Sequence, residues 1–195
     1  MSDIRQLGPV LIAWEDIGHA EDRSRAAGRL LGHPIGRLAP GADERVGRRC
    51  ARCDGDDHGA PRPLAAPVAL SVAYAGTTVV AAAAHAREAA SVGVDVERGD
   101  AETLLEGLAP LFAPHPPPDL RGWTRLEAVL KADGRGLRVP PGDVRVTEIP
   151  GSVLPGSLMA RVAGRAEPIE VGAGPAPAGC VVSVAVVLPR PAATG

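Results

Sequence analysis

Hydrophobic and polar positions change period along this chain, and the changes mark its elements. Residues 21–32, EDRSRAAGRLLG, set Leu30 and Leu31 as core anchors with Arg23, Arg25 and Arg29 spread along the same stretch, which predicts a short helix. A polar segment rich in glycine and arginine follows, from about 40 to 63, and reads as a loop. Residues 68–84, VALSVAYAGTTVVAAAA, predict two strands around a turn at Gly76-Thr77, with alternation clear in only part of the run. In SVGVDVE, residues 91–97, strand periodicity puts Val92, Val94 and Val96 on one face and Gly93, Asp95 and Glu97 on the other.

The stretch APHPPPD, 113–119, cannot continue a helix and reads as an exposed connection. WTRLEAVLKADGRGL, from Trp123 to Leu137, has an amphipathic pattern and predicts a helix ending near Gly134. RGLRVPPGDVRVTEI, SLMARVAG and GCVVSVAVVL supply three further strands, and the tail after Leu188 is expected to fray. No repeat shows at the residue level. Each half still has one helix backed by several strands, so the expected class is α+β with two similar lobes, 1–90 and 91–195, the second carrying the acids.

Composition narrows the picture. At 195 residues with 45% hydrophobic content the chain can bury a sizeable core. Its aromatics are Trp14, Tyr74, Phe112 and Trp123, so that core must be built from Ala, Val and Leu, and modest stability is expected. A net charge of -2 argues against a nucleic-acid partner. No apolar run reaches the ~18–20 residues of a membrane helix, and the N-terminus has no signal-peptide pattern, so no membrane association and a cytoplasmic location are expected.

Candidate chemistry begins with Lys131, the only lysine in an arginine-biased chain. A compact ammonium can meet a phosphate as a point charge or exchange a proton when partly buried. Against this stands an ordinary solvated pair with Glu127, four residues earlier, worth ~0.2–0.5 kcal/mol. Asp95 and Glu97 side by side repel each other unless a cation lies between them, and hard oxygen donors of this number suit magnesium, with Glu127 able to complete the set. The plainer alternative is a strand end with its polar side in water. Cys50-x-x-Cys53 followed by Asp54, Asp56, Asp57 and His58 hints at zinc, but without a second CxxC a closed four-ligand site is not expected. No phosphate-binding glycine loop occurs, and neither Ser71 nor Ser183 has a histidine that would make a triad. Arg23, Arg25, Arg29 and Arg62 can bind anions or simply face solvent.

Taken together, VGVDVE and, about thirty residues on, WTRLEAVLK resemble the two signatures of the 4'-phosphopantetheinyl transferases, in particular the larger, monomeric type that serves polyketide, fatty-acid and non-ribosomal-peptide carriers. CARCDGDDHGAPRP, 50–63, is similar to the cysteine-containing HG(K/R)P loop of many members, ALSVAYAG occupies the Ser-His segment, and GCVVSVAVVL resembles the closing strand. The resemblance covers about residues 21–188. It implies two lobes related by a pseudo-twofold, a ligand cleft between them, and transfer of the phosphopantetheine arm of coenzyme A to a serine of an acyl or peptidyl carrier protein. It further implies that Asp95, Glu97 and Glu127 hold magnesium, that Glu127 and Lys131 act catalytically, and that Arg25, Arg29, Gly59 and Pro61 contact the coenzyme, with Arg62 and Tyr74 as expected substitute contacts.

The chain departs from the family pattern at Leu126, where the helix has lysine, at Ala60, where the loop has lysine or arginine, and at Ala73-Tyr74, where the strand has Ser-His. Each change removes a phosphate-contacting group, and a charge-assisted hydrogen bond is worth ~1.5–3 kcal/mol. Arg62, Arg125 and the Tyr74 hydroxyl offer compensation, and Arg121 and Arg125 are expected to face an acidic carrier helix. The alternative is a catalytically impaired descendant that binds a carrier protein or coenzyme A.

Overall fold

The computed structural model describes residues 3–18, 22–50, 52–100 and 106–190. It is a mixed α+β structure in which sheet predominates. Strands β1 (Asp3–Leu7), β2 (Val10–Asp16), β5 (Val68–Ala75) and β6 (Thr78–His85) form an antiparallel sheet in the order β1-β2-β6-β5. Strands β7 (Ser91–Arg98), β8 (Val144–Pro150), β9 (Leu158–Val162), β10 (Ile169–Ala173) and β11 (Cys180–Val187) form a second, in the order β7-β11-β10-β9-β8. A two-stranded ribbon, β3 (Val46–Arg49) with β4 (Ala60–Pro63), is hydrogen-bonded into neither sheet and packs against β5.

One face of each sheet contributes to a shared core. Val10 and Ile12 of β2, Val80, Ala82 and Ala84 of β6, and Val92, Val94 and Val96 of β7 meet Val182, Val184 and Val186 of β11 there. The opposite faces each pack a helix. Helix α1 (Arg23–Leu38) lays Ala26, Ala27, Leu30, Leu31 and Ile35 on Val79, Ala81 and Ala83. Helix α2 (Leu120–Asp133) lays Ala128, Val129, Leu130 and Ala132 on Ala185, Val187, Val171 and Ile169. Strand β6 is therefore buried on both faces, which removes the polar half of a strand's alternation and leaves the run TVVAAAA.

Helix α1 begins at Asp22, whose carboxylate accepts the amide N–H groups of Ser24 and Arg25, and it runs to Leu38 rather than ending near residue 32. Pro34 lies inside it, buried on the core side. Helix α2 begins at Asp119, which accepts the Gly122 amide at 2.7 Å, and ends at Gly134, whose amide donates to the Leu130 carbonyl. The segment 40–63 is not wholly loop, since it contains β3 and β4. Strands β1, β2 and β10 are additional to the sequence expectation. Glu21 of the expected first helix and the expected frayed tail, from residue 191, lie outside the described residues. Among the described residues no helix is long and apolar enough to cross a membrane.

Candidate functional site

Strand β7 turns Gly93, Asp95 and Glu97 toward α2, the face opposite its three valines. Gly93 sets how close the helix comes. A Cβ there would sit 2.0 Å from the Ala128 carbonyl oxygen and 2.6 Å from the Ala132 amide nitrogen, so only glycine lets α2 lie directly on the strand. The Ser91 hydroxyl adds a tether, donating to the Ala132 carbonyl at 2.7 Å. With helix and strand in contact, Lys131 Nζ reaches Asp95 Oδ1 at 2.7 Å and the Val94 carbonyl at 3.1 Å. Glu127 stands one turn earlier on the same helix.

Three carboxylates then share one cation. Burial pushes the Asp95 carboxyl above its ordinary range, and the Lys131 ammonium opposes that shift. Glu97 is pushed up to about 7 by burial first and then by the charge of Asp95, with Glu127 adding to the effect and Trp123 and Lys131 opposing it. Glu127 is raised by burial and Asp95 and lowered by Lys131. Asp95 Oδ2 is buried with no protein hydrogen-bond partner. An unpartnered buried oxygen beside mutually repelling carboxylates is a donor environment that a divalent cation would relieve. The acids do not close into a compact cage. Among the described residues only Cys50, Cys53 and His58 bring three potential ligand atoms within 4.8 Å of one another. Ligands of one magnesium ion lie at most about 4.2 Å apart, since each sits about 2.1 Å from the metal, so all three acids would reach a single ion only after a side chain turns.

Lys131 also faces a cavity of about 290 Å³ whose wall includes Gly59, Ala60, Pro61, Tyr74 and Arg48. The cavity thus joins residues from the β3–β4 ribbon, from β5 and from α2. Sequence reasoning missed Arg48. Its guanidinium donates to Ser24 Oγ at 2.9 Å, to the Gly59 carbonyl at 3.0 Å and to the Tyr74 hydroxyl at 3.1 Å, so it ties α1, the loop and β5 together at the cavity. Its signal in the sequence is its place two residues after Val46 in a short alternating stretch, hidden by the general excess of arginine. Tyr74 in turn donates to the Arg23 carbonyl at 3.4 Å, and the Arg23 guanidinium lies 5.8 Å from its ring centre.

The remaining predicted coenzyme contacts lie elsewhere. Arg25 and Arg29 line a separate depression of about 800 Å³ with Asp43 and Glu44, and Arg29 bonds Glu15 at 2.5 Å. Arg62 lines an adjoining groove of about 440 Å³ that shares Pro61, Leu70 and Val92 with the Lys131 cavity. Leu126, at the family's lysine position, is 8% exposed and belongs to the core beneath α2. Arg121 is exposed, whereas Arg125 is half-buried with its Nε unpartnered. Ser71 accepts the Val94 amide at 3.0 Å and Ser183 bonds Thr124 at 2.8 Å, so both hydroxyls serve packing.

Comparison of the chain with protein-family models and with curated proteins gives no match.

Proposed function

We propose that the protein is a magnesium-dependent 4'-phosphopantetheinyl transferase, with residues 1–90 and 91–195 acting as two lobes related by a pseudo-twofold and coenzyme A lying between them. The observation that carries this reading is the electrostatic coupling of Asp95, Glu97 and Glu127 to Lys131, which bonds Asp95, with Asp95 Oδ2 buried and unpartnered. Support also comes from the adjoining cavity, where Gly59, Pro61 and Tyr74 join Lys131 and Arg48.

On this reading Asp95, Glu97 and Glu127 hold the ion. Magnesium supplies charge neutralisation to a diphosphate whose transfer needs positioning more than covalent help. Glu127, its carboxyl raised above its ordinary value by burial, accepts the proton from the carrier serine Oγ. That oxygen forms its bond to the phosphorus of the phosphopantetheine arm as the bond to 3',5'-ADP breaks, the electron pair leaving with the nucleotide. Lys131 and Arg48 meet phosphate oxygens with ammonium and guanidinium donors. Arg25 and Arg29, in a separate depression, serve the coenzyme only through its outer parts, and Arg62 reaches it from the adjoining groove. Arg121, on the exposed first turn of α2, and Arg125 meet the acidic helix of the carrier.

A second reading, a carrier- or coenzyme-binding descendant without turnover, is favoured by one observation. Leu126 has been taken into the core, so the helix has exchanged a phosphate contact for packing. Incubation with coenzyme A, magnesium and apo-carriers of the polyketide and non-ribosomal-peptide types distinguishes the two by mass spectrometry. Addition of the arm to a carrier supports the transferase. Carrier binding without any mass increase supports the descendant.

A further inference from the structure

We propose that Cys50, Cys53 and His58 form a zinc site that clamps the loop between β3 and β4, with its fourth position open to water. This inference stands independently of the transferase reading. Among the described residues these three are the one group whose potential ligand atoms lie within 4.8 Å of one another. Two thiols and an imidazole select zinc over the oxygen-preferring magnesium assigned to the acids.

The details of the loop agree. Cys53 Sγ lies 3.3 Å from His58 Nε2, close to the roughly 3.6 Å that ordinary zinc–sulfur and zinc–nitrogen bonds impose across a tetrahedral ion. The other ring nitrogen, Nδ1, lies 2.5 Å from Asp57 Oδ1. A carboxylate on Nδ1 fixes the ring and leaves Nε2 as the ligand atom, the usual support for a metal-bound histidine. The Arg52 amide donates to Cys50 Sγ at 3.4 Å, so the first sulfur already sits in a turn of backbone donors. Asp54 donates its amide to the Cys50 carbonyl at 2.9 Å, and Cys50 donates its own to Gly55 at 2.8 Å, closing the backbone around the sulfurs. Asp54 is occupied by Arg49 and does not compete as a ligand.

The missing second CxxC is no obstacle, because three protein ligands with a solvent-filled fourth position is an established zinc arrangement. Cys53 and His58 are exposed, which gives water its access. The loop has little else to hold it, since its described residues from 52 to 60 are exposed or half-buried. It leads straight into the cavity wall. Gly59 follows His58 at φ +98°, its would-be Cβ 2.5 Å from the Arg49 carbonyl oxygen, and its own carbonyl accepts Arg48. Zinc bound here sets the position of Gly59, Ala60 and Pro61 beside Lys131. On binding, both thiol protons pass to solvent.

The test uses the full chain, reduced and stripped with a chelator, then titrated with Zn²⁺ and with Co²⁺. One equivalent is expected, with proton release on zinc binding and a thiolate-to-cobalt charge-transfer band in the near ultraviolet. Zinc is expected to slow alkylation of Cys50 and Cys53 at least tenfold, with Cys180 as the unaffected internal reference. Cys53→Ser and His58→Ala are expected to weaken binding a hundredfold or more. Absence of the cobalt band together with equal alkylation rates with and without zinc overturns the proposal. So does a bound equivalent that leaves Cys50 and Cys53 unprotected. The alkylation comparison is made on the wild-type chain and holds whether or not the variants fold.

Discussion

The Lys131 ammonium lies 2.7 Å from Asp95 Oδ1, joining the last turn of α2 to the middle of β7 at the one place where a buried carboxylate meets the chain's single lysine. Asp95 is only 6% exposed, so its charge depends on that partner. Lys131→Met leaves the carboxylate buried and unpaired, a loss worth ~3–5 kcal/mol for a fully buried pair. Lys131 keeps 30% of its side-chain exposure, so a value of about 2–3 kcal/mol is expected by urea unfolding at pH 8. At pH 5 the loss should shrink, because the raised Asp95 carboxyl can take a proton instead.

Gly93→Ala tests the approach of helix to strand. Its Cβ would collide with backbone atoms of Ala128 and Ala132, which cannot swing aside as a side chain can. A loss of about 3 kcal/mol or more is expected, with separation of Lys131 from Asp95. Gly142→Ala, where nothing lies within 4 Å, is the control and should leave the unfolding midpoint nearly unchanged.

Glu97 makes stability fall with rising pH. Its carboxyl is raised from 4.5 to about 7 in the folded chain, so folding favours the protonated form. The benefit is complete below about 4.5 and is lost as pH rises through about 7. Asp95 and Glu127 act with the same sign. Between pH 5 and pH 8 the metal-free thermal midpoint of the wild type should therefore drop more than that of Glu97→Gln. Added magnesium should raise the wild-type midpoint more at pH 8 than at pH 5, and chelation should reverse the gain. Equal slopes for wild type and variant would exclude Glu97 from the charged cluster.

Arg48→Ala removes the three contacts that join Ser24, Gly59 and Tyr74. Loss of a charged donor at the cavity should weaken coenzyme A binding about ten- to a hundredfold by calorimetry. Arg25→Ala, in the separate depression, should change it by less than threefold.

The acidic face of β7 is legible in the sequence because that strand obeys one rule along its length, valines into the shared core and the other side toward α2. The same rule fails for β6, where burial of both faces leaves only valine and alanine between Thr78 and His85 to mark alternation. Helix α1 is underestimated because Gly32, Pro34 and Gly36 read as breakers. In the fold Gly32 and Gly36 instead give room to Glu44, with a Cβ at Gly36 falling 2.5 Å from its Oε1. Arg48 is illegible locally, since its three partners come from positions 24, 59 and 74. The residues of the proposed zinc site are half legible: the cysteine spacing is plain, but only the curl of the loop brings His58 back to Cys53.

The central claim is that Asp95, Glu97 and Glu127 hold a divalent ion against the diphosphate of coenzyme A. Calorimetric titration of coenzyme A into the wild type and Asp95→Asn, with magnesium and with chelator, tests it most directly. Wild-type binding should be at least tenfold tighter with magnesium, and that difference should vanish in Asp95→Asn. Equal wild-type affinity with and without the metal, or no binding in either condition, would contradict it.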